Sequence, residues 1–166
     1  MTNNNAVPSL ASSAMLTELN ISVWTGRKKD KRESKEVANQ NYADSGVVSV
    51  NKMLLGDCDK LKAINELRGK IRNHIHYPMT MPWSDSGLRL LPTASYFDYH
   101  EQMTNAINAF NALVDEFIDD YDFAVSRAQA KLGNLFVRDD YPTSEQIRGK
   151  FGVSVNYTPL PDAGDF

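Results

Sequence analysis

Apolar residues recur at Met103, Ile107, Phe110, Val114, Phe117, Tyr121, Val125, Ala128 and Leu132, stepping by three or four. That is the spacing of one helical face, widened by Ala106, Leu113, Ile118 and Ala124, and it predicts a helix over 96–136. The stretch has no proline, and its one glycine, Gly133, lies near the far end. Ser95 stands where an N-cap belongs, with Asp98 in the first turn, where the helix dipole favours an acid. At about 1.5 Å per residue such a helix is roughly 55 to 60 Å long, and its stripe needs a partner.

A second stripe, Met53, Leu54, Leu61, Ile64, Leu67, Ile71 and Ile75, predicts a helix over 51–76. Gly56 and Gly69 weaken it by up to about 1 kcal/mol each, so a break near Gly56 with Asp57 recapping fits the pattern. Pro78 and Pro82 are expected to close it. Two period-two segments flank these helices. Leu19, Ile21 and Val23 alternate with Glu18, Asn20 and Ser22, and Val153, Val155 and Tyr157 alternate near the other end. Each strand needs a neighbour for its backbone groups, which predicts antiparallel pairing of 17–24 with 152–158.

Between these elements, 30–43 is charged and weakly periodic, with Lys29/Glu33 and Arg32/Glu36 pairs, and reads as a surface helix. Asp44-Ser45-Gly46 signals a turn. The connector after Pro78 is loop with one short strand at 87–91, and Pro142 opens a short helix containing Glu145 and Gly149. Residues 1–13, rich in Asn, Ser and Ala, read as a disordered tail before a single helical domain over 14–166. The expected fold is mainly α: a long antiparallel helical hairpin, short extra helices, and a small β-ribbon formed by the N- and C-terminal strands. Phe110, Leu113, Phe117 and Ile64 are expected to share its core.

Charge favours the hairpin. Asp98, Glu101, Asp115, Glu116, Asp119, Asp120 and Asp122 have no Lys or Arg among them, whereas 51–76 carries Lys52, Lys60, Lys62, Arg68, Lys70 and Arg72. The whole chain, at 166 residues and net charge −3, suits one domain and gives no global pull toward nucleic acid or an anionic membrane. Cys58 is alone, so no intrachain disulfide forms and a reducing, cytoplasmic setting is expected. The N-terminus lacks a secretory pattern, and no apolar run approaches the length of a membrane span.

Candidate chemistry is sparse. Glu116 shares a helical face with Asp119 and with Asp120, but no Glu-x-x-His pair accompanies them, so a solvated acidic face is expected rather than a metal site. His74, His76 and His100 lack metal-ligand spacing, and Cys58 sits beside acids that disfavour a thiolate. No nucleophile elbow, phosphate loop or dinucleotide fingerprint is present, so no catalytic residue and no cofactor are expected. Arg27, Lys28, Lys29, Lys31 and Arg32 form the most basic run. They suit phosphates or an acidic protein surface, or else a solvated helix start neutralised by Asp30, Glu33 and Glu36. Trp83, framed by prolines, either plugs the end of the hairpin, which is the expectation, or is displayed as an interface residue.

The stretches ISVWTGRKKDKRESKEV, TMPWSDSGLRLLP, LGNLFVRDDYP and FGVSVNYTPLPDAGDF together resemble a family of tailed-phage proteins of unknown function, often encoded near a chaperone-like AAA+ ATPase. The resemblance covers about 20–166 and transfers no catalytic residue. It implies a phage protein acting in the cytoplasm of an infected bacterium, and, because members of the family continue past the position of Phe166, either the N-terminal part of a longer protein or a shorter relative. The expected function is non-enzymatic binding of another protein, either that ATPase or a host factor such as a defence complex. Arg27, Lys28, Lys29, Lys31, Arg32, Trp83, Asp115, Glu116, Asp119 and Asp120 are the candidate contacts. A homo-oligomer is compatible with this reading. The alternative is a nucleic-acid-binding accessory protein that uses 27–35.

Overall fold

The structure, a computed structural model, describes residues 10–29 and 51–161. In chain order these form α1 (Leu10–Ser13), β1 (Ala14–Ser22), β2 (Arg27–Lys29), β3 (Asn51–Met53) and α2 (Asp59–Lys70). A π-helical segment (Ile71–His76), α3 (Tyr77–Met79), β4 (Met81–Pro82) and β5 (Arg89–Pro92) follow, then α4 (Tyr96–Leu132), α5 (Ser144–Ile147) and β6 (Gly152–Pro159). The fold is mainly helical, with one long helix and a small antiparallel sheet. The expected surface helix over 30–43 lies outside the described residues, as do 1–9 of the expected tail.

The chain divides into two compact units. The first takes Met1–Ser22, Ile64–Leu113 and Gly152–Phe166. The second takes Val23–Ala63 and Val114–Phe151. Residues 96–113 of α4 therefore belong to the first unit and 114–132 to the second.

In the first unit the expected pairing of the two terminal strands is present, running from Met15↔Pro159 to Ser22↔Gly152. It does not stand alone as a ribbon. The strand order is β4-β5-β1-β6, so β1 is an inner strand, with Ala14–Thr17 also paired to β5. The register sets Thr17, Leu19 and Ile21 opposite Tyr157, Val155 and Val153 on one face. Thr17 there is fully buried, as are Leu91 and Tyr99 of the same unit. The opposite face holds a separate cluster, Ala14, Leu16 and Leu160, against which Ala11, Leu88 and Leu90 pack. The early part of β1 is thus covered on both faces, and alternation alone does not reveal this.

The second helix starts at Asp59 and not at Asn51, because Gly56 turns the chain at φ 63° and Asn51–Met53 is a strand. Nor does Pro78 end it. Six π-helical residues precede that proline, and the helix continues to Met79. A wider turn relieves the clash of the Pro78 ring with the carbonyl four residues back, and Pro78 has no N–H to leave unpaired. Ile64 and Ile71 are fully buried in this unit, as are Met103 and Phe110 of α4.

The second unit contains the β2–β3 ribbon, with Arg27↔Met53, Lys28↔Lys52 and Lys29↔Asn51 paired. Gly26 enters it at φ +65° and accepts a hydrogen bond from Leu54 N at 2.7 Å. The positive φ favours glycine here, and a Cβ at Gly26 would meet Leu61 Cδ2 at 2.8 Å, so that side chain would also have to shift. Trp24 packs on Phe117 and Tyr121, with ring centroids 6.2 and 5.9 Å apart, and Phe151 lies 5.5 Å from Phe117. Phe117 therefore belongs to an aromatic cluster of the second unit, whereas Ile64 and Phe110 are core residues of the first. Leu113, expected with them, is only half-buried. Gly133, at φ 55°, follows the last residue of α4 in the left-handed conformation that commonly ends helices.

Candidate protein-interaction surface

Trp83 sits at the tip of the β4–β5 hairpin, whose strands pair Met81↔Leu90 and Pro82↔Arg89. The amides of Trp83 and Ser84 both donate to Leu88 O at 3.3 Å, closing the loop, and Gly87 supplies its left-handed turn at φ 90°. The Ser84 and Ser86 hydroxyls lie 2.6 Å apart across it. Every residue of 81–87 is exposed, and Trp83 keeps 45% of its surface open. The expectation that Trp83 plugs the bundle end is therefore corrected. Hydrogen bonds within the loop fix its backbone at the tip, which leaves the indole on the surface.

Two further large apolar side chains join Trp83 within seven residues of sequence, Tyr77 and Met81, both close to half exposed. The base of this segment is rigid. Arg89 Nε donates to Thr80 Oγ1 at 2.7 Å and its Nη2 to Thr80 O at 3.1 Å, while its guanidinium covers the Tyr77 ring at 4.8 Å. Thr80 Oγ1 donates in turn to His76 O at 2.6 Å, satisfying a carbonyl near the helix end. Behind it lies buried His76, whose Nδ1 is 2.8 Å from the Tyr99 hydroxyl. Burial, with the Arg89 and Arg72 charges, holds the His76 imidazole down to about 4, so it is neutral near pH 7. Burial also pushes the Tyr99 phenol up. The nearby Thr17 hydroxyl opposes that rise without making a hydrogen bond of ordinary geometry.

The basic candidates lie in the second unit and do not form one patch among the described residues. Arg27 and Lys28 are exposed on β2, Lys29 ends that strand, and Lys31 and Arg32 lie outside the described residues. Lys28 is held by Asp140 at 2.6 Å, and Lys52 meets the other oxygen of the same carboxylate at 2.6 Å. Burial raises the Asp140 carboxyl, but hydrogen bonds and charge from both lysines outweigh it and hold the group below its usual range. Lys52 also donates to Leu135 O at 2.9 Å.

The acidic candidates separate as well. Asp115 pairs with Arg148 at 2.6 Å and Asp120 with Arg127 at 2.9 Å, while Glu116 and Asp119 are exposed. Among the described residues no three His, Cys, Asp or Glu side chains converge in a way that could hold a metal ion. No described helix is long and apolar enough to cross a membrane.

Sequence reasoning missed Tyr77, Met81, Phe97 and Phe123 as surface residues. Phe97 and Phe123 are 82% and 70% exposed on α4, and their places off the apolar stripe were the available signal. It also missed Trp24, which lines a groove of about 790 Å³ with Tyr141, Pro142, Glu145, Gln146 and Lys150. Much of that groove is occupied with its own structure. Gln146 and Thr143 exchange hydrogen bonds in a capping box, Tyr121 donates to Pro142 O at 2.6 Å, and Tyr141 donates to Leu54 O. No protein-family model, curated protein or solved structure matches the chain.

Proposed function

We propose that this chain is a non-enzymatic protein that binds another protein through the segment 77–83, which runs from the end of the helix to the tip of the β4–β5 hairpin. The observation that carries this reading is the exposure of Tyr77, Met81 and Trp83 on one rigidly based segment. Tryptophan and tyrosine gain most on burial at an interface, and a fixed backbone reduces the entropy cost of docking them. The partner is the AAA+ ATPase suggested by the phage resemblance, or a host factor such as a defence complex, met in the cytoplasm of the infected cell. An antiparallel pairing of the helix over 59–79 with α4 belongs to the same reading. It is supported by the buried residues Ile64, Ile71, Met103 and Phe110, and it gives the hairpin tip a stiff support.

The test is capture of partners from infected cells by the tagged chain and by its Trp83→Ala variant. The expected result is a stoichiometric protein with the wild type and its loss with the variant, while both melt at the same temperature. Recovery of no stoichiometric protein sinks the reading. The nucleic-acid alternative, centred on 27–35, is disfavoured by the engagement of Lys28 with Asp140. It predicts binding to DNA or RNA that weakens steeply with salt and depends on Arg27, Lys28, Lys29, Lys31 and Arg32.

A further inference from the structure

The two edges of the four-stranded sheet are built differently. One edge, β4, has two residues, and one of them is Pro82, which has no N–H to offer. The other, β6, runs for eight residues, Gly152–Pro159. Among the described residues its one strand neighbour is β1, and the register between them is unbroken from Ser22↔Gly152 to Met15↔Pro159. On the side away from β1, alternate residues of β6 therefore direct N–H and C=O groups outward.

Proteins usually guard such an edge with a lysine or other charge, an interior proline, a bulge or a very short strand. None is present here. The sequence GVSVNYTP contains no charged residue, and its proline is terminal. The faces alternate cleanly, with Val153, Val155 and Tyr157 half-buried and Ser154, Asn156 and Thr158 exposed.

The geometry points to β6 as a self-association edge, at which β6 of a second copy of this chain adds antiparallel about a two-fold axis. The strand meets the requirements of its own neighbour. A two-fold axis perpendicular to the sheet keeps apolar against apolar and polar against polar. With the axis at Val155, each Tyr157 faces the other copy's Val153, an aromatic and β-branched pair of the kind that stabilises ladders. Ser154 then faces the other copy's Asn156. Charge does not oppose this occupant. The chain carries net charge −3, yet two copies meeting along β6 bring no charged residue of that strand against another. The inference goes beyond the proposed function and is separable from it, because Trp83 follows the strand at the opposite edge of the sheet.

The test is sedimentation of the full chain over a concentration series, with three variants. Wild type is expected to form a dimer, and Trp83→Ala to leave that dimer unchanged. Ser154→Lys with Asn156→Lys sets like charges opposite one another across the axis. It is expected to weaken association by at least about tenfold while circular dichroism and melting of the monomer are retained. Ser154→Glu with Asn156→Lys sets opposite charges across the axis, keeps the lysine opposite Glu18 of β1 as in the double-lysine variant, and is expected to restore the dimer. A wild type that stays monomeric throughout overturns the inference. So does a double-lysine variant that dimerises like wild type, or a glutamate–lysine variant no better than the double lysine.

Discussion

His76 Nδ1 lies 2.8 Å from the Tyr99 hydroxyl, in a pairing that joins the end of the second helix to the first turn of α4. Because burial holds His76 to about 4 against an ordinary 6.5, the folded chain resists a proton that the unfolded chain accepts. The stabilisation is complete above about pH 6.5 and is lost as pH falls toward 4, amounting to at most about 3 kcal/mol. Melting temperature followed from pH 7.5 to 4 should fall over that window, and a His76→Asn variant should show a flatter profile. Equal slopes in both proteins would place the acid sensitivity elsewhere.

Asp140 titrates in a different window. Its carboxyl is held below the usual value by Lys28 and Lys52, so its contribution is present at neutral pH and is lost only below about pH 4. Asp140→Asn removes the charge that holds both strands of the β2–β3 ribbon, and should cost about 1 to 2 kcal/mol at pH 7. Chemical denaturation of the two proteins measures this, and the difference should shrink in high salt, since Lys28 is exposed.

Phe117 is 1% exposed among Trp24, Tyr121 and Phe151. Phe117→Ala should destabilise by about 3 to 5 kcal/mol in equilibrium unfolding, through lost transfer energy plus the cavity left behind. A loss below about 1 kcal/mol would show that the cluster collapses around the gap or is not closely packed.

The inner position of β1 sharpens the expectation for truncations. Removing 1–13 takes away α1, including the Ala11 contact with the outer-face cluster, but leaves all of β1 in place, and should cost about 1 kcal/mol or less. Removing 1–24 deletes the strand between β5 and β6 and also Trp24. That chain should show no cooperative thermal transition by circular dichroism, and a sharp melt near the wild-type temperature would contradict the sheet order.

The sequence by itself determined the elements with strong period. Met103, Phe110, Val114, Phe117, Tyr121 and Val125 of the stripe are the buried row of α4, with Ile107 half-buried, because a 3.6-residue repeat can hide its apolar side chains in only one way. The pairing of 17–22 with 152–157 was legible for a similar reason: two alternating segments with unpaired backbone had few other partners; Val23 and Trp24, expected in the same strand, lie beyond its end at Ser22. What the sequence could not state is what lies beside a strand or beneath a ring. Only the tertiary structure placed β5 against β1, which turned an expected ribbon into a sheet with an inner strand and gave Leu16 and Thr17 burial on opposite faces.

Long-range pairs were equally silent in the sequence. Lys28 and Asp140 stand 112 residues apart, and nothing local to either marks the other. The helix that runs through Pro78 depends on a widened turn, which overrides the usual rule for proline. The exposure of Trp83 followed from hydrogen bonds that closed its loop at a hairpin tip and not at the bundle end. Periodicity reports which side of an element is apolar. Which apolar side chains are left uncovered depends on how the elements assemble, and that is where the proposed partner surface lies.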